Sequence, residues 1–192
     1  MMNPKYLVTP NYLIADIGKV GSSSLYREVI NAYYPDAPEP KLGRENKPND
    51  GNRGFVERTE IIDRPVIVLV RDPVERFRSA MAQSGIKQVA PFMRCLSEGN
   101  DRGKRLLHSF HFMPVVRYLE GVEDARLFRF PEDLDQATEL AGLTTPLPVV
   151  NDASNNQEKE VFSEAQLVII RSVYAEDIAL RDSIDGRGLL SA

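Results

Sequence analysis

Apolar positions fall into two kinds of run along the chain. Tyr12-Leu-Ile-Ala-Asp-Ile17 and Pro65-Val-Ile-Val-Leu-Val-Arg71 are short and nearly continuous. Both predict buried strands, and the β-branched second run predicts a central strand covered on both faces, as in a parallel sheet. Ala125-Arg-Leu-Phe-Arg-Phe130 alternates like a further strand. Between these lie helical periods. Leu25 to Tyr34 carries Leu25, Val29 and Ile30 on one face. Asp72-Pro-Val-Glu75 opens a helix to about Ser84, with Asp72 as N-cap, Pro73 at the first helical position and Glu75 completing a capping box. Lys104 to Glu120 reads as a helix bent or broken at Pro114. Pro131 to Ala141 reads as a helix closed by Gly142. Ser163-Glu-Ala-Gln166 is a second capping box, opening a helix to about Arg181 on which Tyr174 and Asp177, three apart, tie the helix to the core. Pro35 to Arg53 and Thr144 to Gln157 read as loops.

This order predicts one domain over residues 1–192, an α/β fold with a parallel sheet and helices on both faces. No internal repeat interrupts it. With 192 residues the chain is long enough to bury a core, and its 42% apolar and 27% charged residues are ordinary for a globular protein. The net charge of −4 argues against a general nucleic-acid partner. Cys95 is the only cysteine, so no intrachain disulfide forms, as suits a reducing compartment. Met1 to Pro10 lacks an apolar signal segment and no apolar run is long enough to span a bilayer. A cytoplasmic protein with no membrane span is the expectation.

Two segments carry candidate chemistry. Gly18-Lys-Val-Gly-Ser-Ser-Ser24 joins a predicted strand to a predicted helix. The first N–H groups of a helix have no internal partner and the helix dipole adds positive potential there. Gly21 admits close approach of an anion, Ser22, Ser23 and Ser24 add hydroxyls, and Lys19 adds a charge, so the run can cradle an anion. It can equally be an ordinary Gly/Ser turn. It is not a Walker A loop, because Val20 follows Lys19 and Tyr12, Leu13 and Ile14 stand where the earlier glycine belongs. Arg71 closes the strongest strand at the edge where open α/β sheets bind ligands. Ser79 lies about two helical turns further on. An arginine fork with a hydroxyl clamps a terminal phosphate well, although Arg71 can also serve a surface ion pair.

Together the two segments resemble a known family. Lys19-Val-Gly-Ser-Ser-Ser-Leu25 is similar to the 5'-phosphosulfate loop of sulfotransferases that use 3'-phosphoadenosine 5'-phosphosulfate (PAPS). Val70-Arg-Asp-Pro-Val-Glu-Arg-Phe-Arg-Ser-Ala80 is similar to their 3'-phosphate segment, including the Arg71-to-Ser79 spacing. The wording is closest to the carbohydrate sulfotransferases acting on heparan and chondroitin. Weaker similarity runs through His108 to Leu119, Leu127 to Leu134 and Val173 to Asp177. The resemblance implies a three-layer fold like that of the P-loop NTPases and metal-free transfer of a sulfuryl group from PAPS to a hydroxyl or amine. Lys19 would neutralise the leaving phosphate. Val20, Gly21, Ser22, Ser23 and Ser24 would hold the 5'-phosphosulfate, and Arg71 and Ser79 the 3'-phosphate.

A hydroxyl acceptor needs a base. The family uses a His or Glu, often between the first helix and the second strand, where this chain offers Glu45 and Glu57 but no His. Its two histidines, His108 and His111, lie downstream and three apart. His108 and Glu45 rank equally as candidate bases. Two His and one Cys without metal-ligand spacing predict no metal site. The acceptor is a small molecule or a carbohydrate, and the acidic balance disfavours a polyanionic one. Two other readings stay open: a nucleotide kinase with a divergent loop, and a non-catalytic nucleotide-binding module.

Overall fold

The structure, a computed structural model, describes residues 4–35, 55–57, 64–84, 89–143, 146–147 and 161–184. Its first two strands form a hairpin, β1 (Lys5–Val8) and β2 (Leu13–Ala15), with Leu7 opposite Ile14. The turn is fixed by Thr9, whose N–H donates to Tyr12 O and whose hydroxyl both donates to that carbonyl and accepts from Tyr12 N–H. Pro10 and Asn11 occupy the two central positions, where these residue types are at home.

Helix α1 (Ser22–Tyr33) follows, then strand β3 (Phe55–Glu57) and strand β4 (Val66–Arg71). Helices α2 (Pro73–Ser84), α3 (Val89–Ser97), α4 (Asp101–Leu107) and α5 (Val116–Leu119) lead to strand β5 (Ala125–Phe130). Helices α6 (Leu134–Leu140), α7 (Glu164–Val173) and α8 (Ala175–Asp182) complete the described chain.

The sheet has the order β3-β1-β2-β4-β5. Its β2, β4 and β5 run parallel, with Leu13 beside Val66 and Arg71 beside Phe130, whereas β1 pairs antiparallel with both β2 and β3. The expected all-parallel sheet is therefore corrected to a mixed one. The physical reason is the tight Thr9–Tyr12 turn, which is long enough only for an antiparallel return. Residues 66–70 of β4 are all buried, so both faces of the central strand are covered.

The core divides into two apolar clusters. One surrounds the sheet and includes Leu25, Val29, Leu127 and Ala137. The other lies between α2, α3 and α7, where the Phe77 ring meets Phe92, Phe112, Phe162 and Tyr174 edge-on at centroid distances of 5.3 to 6.1 Å. Both predicted helix starts are present: Asp72 Oδ1 accepts from Glu75 N–H, and Ser163 forms the reciprocal box with Gln166. The helix expected to run on to Arg181 instead breaks at Tyr174, between α7 and α8. The one expected from Lys104 to Glu120 is split into α4 and α5 by a turn over residues 108–115. Pro114 has no N–H to continue a helix there.

Candidate anion-binding cleft

The parallel strands β2, β4 and β5 end side by side, and their exits build one edge of the sheet. The chain leaves β2 through Asp16, Ile17 and Gly18, then turns at Lys19 and Gly21, which have φ of 73° and 76°. A left-handed conformation suits Gly21 and costs a lysine about 1 kcal/mol or more. Helix α1 begins directly afterwards. Ser24 and Leu25 donate to Gly21 O, and no side chain caps the first turn. Ser22, Ser23 and Ser24 thus sit inside the helix, half-buried, in its first turn rather than in a preceding loop. Val20 is buried in the sheet core and anchors the loop. Only its backbone can face a ligand.

Three contacts from β4 and α2 hold this loop. Arg71 Nη1 donates to Lys19 O at 3.0 Å. Arg76 Nε donates to Gly18 O at 3.2 Å. Lys19 Nζ donates to Gln83 Oε1 at 2.7 Å. Arg76, Ser79 and Gln83 are spaced i, i+3 and i+7, so they share one stripe of α2. The stripe's two ends both touch the loop, and Ser79, half-buried, lies between them. The structure therefore brings Lys19, Gly21, Ser22, Ser23, Ser24, Arg71 and Ser79 to a single edge. A Cβ on Gly21 would stand 3.3 Å from the Phe130 ring, and the Arg71 guanidinium lies 5.7 Å from that ring's centre. Phe130 forms the floor between the loop and Arg71.

The electrostatics are those of a site lined by cations. Burial lowers the Lys19 pKa, and the Arg71 charge lowers it further. Burial also disfavours the Arg71 cation, with Glu75 and Asp72 opposing and Arg76 and Arg78 reinforcing. An anion placed between them relieves both penalties.

Arg76 is 2% exposed and continues inward. It donates to Met113 O and pairs with Asp177 at 3.6 Å, a carboxylate 1% exposed. Asp177 also accepts from Val115 and Val116 N–H at 2.8 and 3.0 Å, and Tyr174 donates to Phe112 O at 2.6 Å. Tyr174 and Asp177 thus fasten the last helices to the turn over residues 108–115, and through Arg76 to the anion loop. No sequence motif singles out Arg76. Its only signal is positional: Pro73, Arg76, Phe77 and Ala80 lie at i, i+3, i+4 and i+7 on the face that α2 buries.

The same turn separates the two histidines. His111 packs on the loop, where a Cβ on Gly18 would stand 3.1 Å from its Nδ1 and 3.0 Å from Phe110 O. That nitrogen is buried with no hydrogen-bond partner among the described residues. Burial lowers the His111 pKa, and the charges of Lys19 and Arg76 lower it further, which favours the neutral imidazole. His108 instead lines a different cavity of about 340 Å³, with Lys104, Arg117, Ser172 and Glu176. The structure places His111, and not the candidate base His108, against Gly18 at the start of the loop. Glu45 lies outside the described residues, as does most of the loop from Thr144 to Gln157, and Glu57 ends β3.

One further acid stands at the head of the loop. Asp16 is half-buried just after β2, its carbonyl accepting from Tyr118 Oη at 3.1 Å. Burial raises its carboxyl pKa to about 7, with Lys5 opposing. Among the described residues no group of His, Cys, Asp and Glu could hold a metal ion, and no helix is long and apolar enough to cross a membrane. No protein-family model, curated protein or solved structure matches the chain.

Proposed function

We propose that this chain is a PAPS-dependent sulfotransferase of a P-loop-NTPase-like fold. The observation that carries the reading is the α2 stripe. Arg76 and Gln83 reach the Gly18–Lys19 loop, with Ser79 between them and Arg71 bonded to Lys19 O. Two anion sites, the loop with the start of α1 and the Arg71–Ser79 pair, thereby share one cleft. That suits a nucleotide carrying phosphate groups at both ends of its ribose.

In the reaction the acceptor oxygen attacks sulfur. The bond from sulfur to the bridging phosphate oxygen breaks, and its electron pair leaves on the 5'-phosphate of 3',5'-bisphosphoadenosine. Lys19 offsets the charge arriving on that phosphate, while the N–H groups at the start of α1 and the hydroxyls of Ser22, Ser23 and Ser24 hold the phosphosulfate. Arg71 and Ser79 hold the 3'-phosphate. The acceptor proton goes to His111, whose imidazole packs against Gly18 at the start of the loop. The acceptor is a small molecule or a carbohydrate.

Phosphorus NMR of the protein with PAPS and a panel of hydroxyl and amine acceptors tests the reading. The expected result is acceptor-dependent release of 3',5'-bisphosphoadenosine that Lys19→Ala abolishes. Hydrolysis of Mg-ATP, with PAPS left intact under every acceptor, contradicts it and favours a divergent kinase. Nucleotide binding without any turnover favours a non-catalytic module.

A further inference from the structure

Gln83 is exposed near the end of α2, and its side-chain oxygen is the polar partner of the Lys19 ammonium at 2.7 Å. Three features make this contact more than a surface hydrogen bond. Lys19 is held at a φ of 73°, a conformation lysine adopts only when its surroundings impose it. Its carbonyl is fixed by Arg71, so backbone and side chain of the same residue are held by β4 and α2 at once. Gln83 also stands on the same stripe as Arg76 and Ser79, one turn beyond Ser79.

The chemistry of the partner matters as much as its position. A carboxylate here would form a charge-assisted pair and cancel the Lys19 charge. An amide oxygen orients the ammonium while leaving its full charge for an incoming anion. A neutral hydrogen bond at an exposed position is also weak enough for an anion to displace or share.

We propose that Gln83 is a positioning residue for the Lys19 cation. It parks the ammonium between the anion loop and α2 when the cleft holds no anion, and its neutrality preserves the site's affinity for the 5' group of a bound nucleotide. This rests on the reading that the loop takes the 5' end and the Arg71–Ser79 pair the 3' end.

Calorimetric titration separates the two claims. The probes are 3',5'-bisphosphoadenosine and adenosine 3'-monophosphate, the second lacking any 5' anion. Gln83→Glu is isosteric and exposed, so its melting temperature should match that of the unsubstituted protein. We expect it to bind the bisphosphate about tenfold more weakly at pH 7.5, because a carboxylate now competes for Lys19. Binding of the 3'-monophosphate should change less than twofold. Gln83→Leu, which removes the partner but adds no charge, should bind the bisphosphate about threefold more weakly with the 3'-monophosphate unchanged, and unaltered binding of both would deny Gln83 a positioning role. Equal weakening of both probes by Gln83→Glu, or unchanged affinity for both, overturns the role of Gln83 while leaving the cofactor reading intact. Failure of the unsubstituted protein to bind the bisphosphate overturns the cofactor reading itself and the proposal with it.

Discussion

Replacing Asp177 by Asn probes the buried link between the last helix and the anion loop. The Asp177 carboxylate accepts two backbone N–H bonds, from Val115 and Val116, and faces Arg76 across 3.6 Å with both side chains almost wholly buried. Asparagine keeps the shape. Its single carbonyl oxygen can satisfy one of the two N–H groups, and its own NH₂ meets the other donor head-on. The Arg76 cation then loses its counter-charge, although its bonds to Gly18 O and Met113 O persist. Breaking a buried pair from one side costs about 3–5 kcal/mol. The two remaining carbonyl acceptors favour the lower end, so we expect about 3 kcal/mol. For a chain of this size that is a fall in Tm of roughly 10 °C. Thermal and urea denaturation monitored by circular dichroism measure it. The double variant Arg76→Met with Asp177→Leu should cost less than the sum of its two singles, because it leaves no orphaned charge, although the N–H groups of Val115 and Val116 and the carbonyls of Gly18 and Met113 lose these partners. A fall of less than 2 °C for Asp177→Asn, or a double variant worse than the sum of its singles, refutes the description of this pair as the tie between α8 and the loop.

Four further outcomes follow from the same geometry. Lys19→Gly should keep or raise Tm, since a φ of 73° suits glycine, yet lower sulfuryl transfer by about 100-fold or more; a matching loss of stability would contradict the role given to the ammonium. Arg71→Ala should weaken 3',5'-bisphosphoadenosine by about tenfold or more in fluorescence competition and 5'-AMP by less, since 5'-AMP loses only the bond to Lys19 O that steadies the loop, and equal weakening would show the 3' site misassigned. Asp16→Asn tests the raised carboxyl. Its folded pKa of about 7 exceeds the unfolded 3.8, so the folded state binds the extra proton and loses stability as pH rises from about 4 to about 7. The variant should therefore melt higher than the unsubstituted protein at pH 8 and match it near pH 4, and a constant difference would contradict the assignment. Gly18→Ala would press a Cβ to 3.0 Å from Phe110 O and 3.1 Å from His111 Nδ1, so it should cost about 1 kcal/mol or more in urea denaturation and shift the His111 NMR titration; an unshifted His111 would place the imbalance elsewhere.

Local signals in the sequence were legible where one residue type had one physical use. Val66 to Arg71 and Ala125 to Phe130 stand as read, and so do the helix starts at Asp72 and Ser163. The joining of Lys19 and Arg71 at one sheet edge was legible because strand ends fix it. What failed depended on strand pairing and packing that short local patterns do not signal. Strand β1 has only four residues, and its neighbours on the sheet, β2 and β3, give it the pairing that its own sequence barely signals. Arg76 reads as one charge among many until α2 is packed, and only then does its place on the Phe77 stripe show that it is buried. His108 and His111 are alike in sequence but diverge in space, because the chain turns after Leu107 instead of continuing the helix that would have set them on one face.

The central claim is that the cleft between the Lys19 loop and the Arg71–Ser79 pair takes a 3'-phosphorylated adenine nucleotide. Calorimetric titration with 3',5'-bisphosphoadenosine, set beside ATP with Mg²⁺, tests it most directly. Tight binding of the bisphosphate with Mg-ATP at least tenfold weaker is the predicted result. No binding of the bisphosphate, or a preference for Mg-ATP, contradicts it.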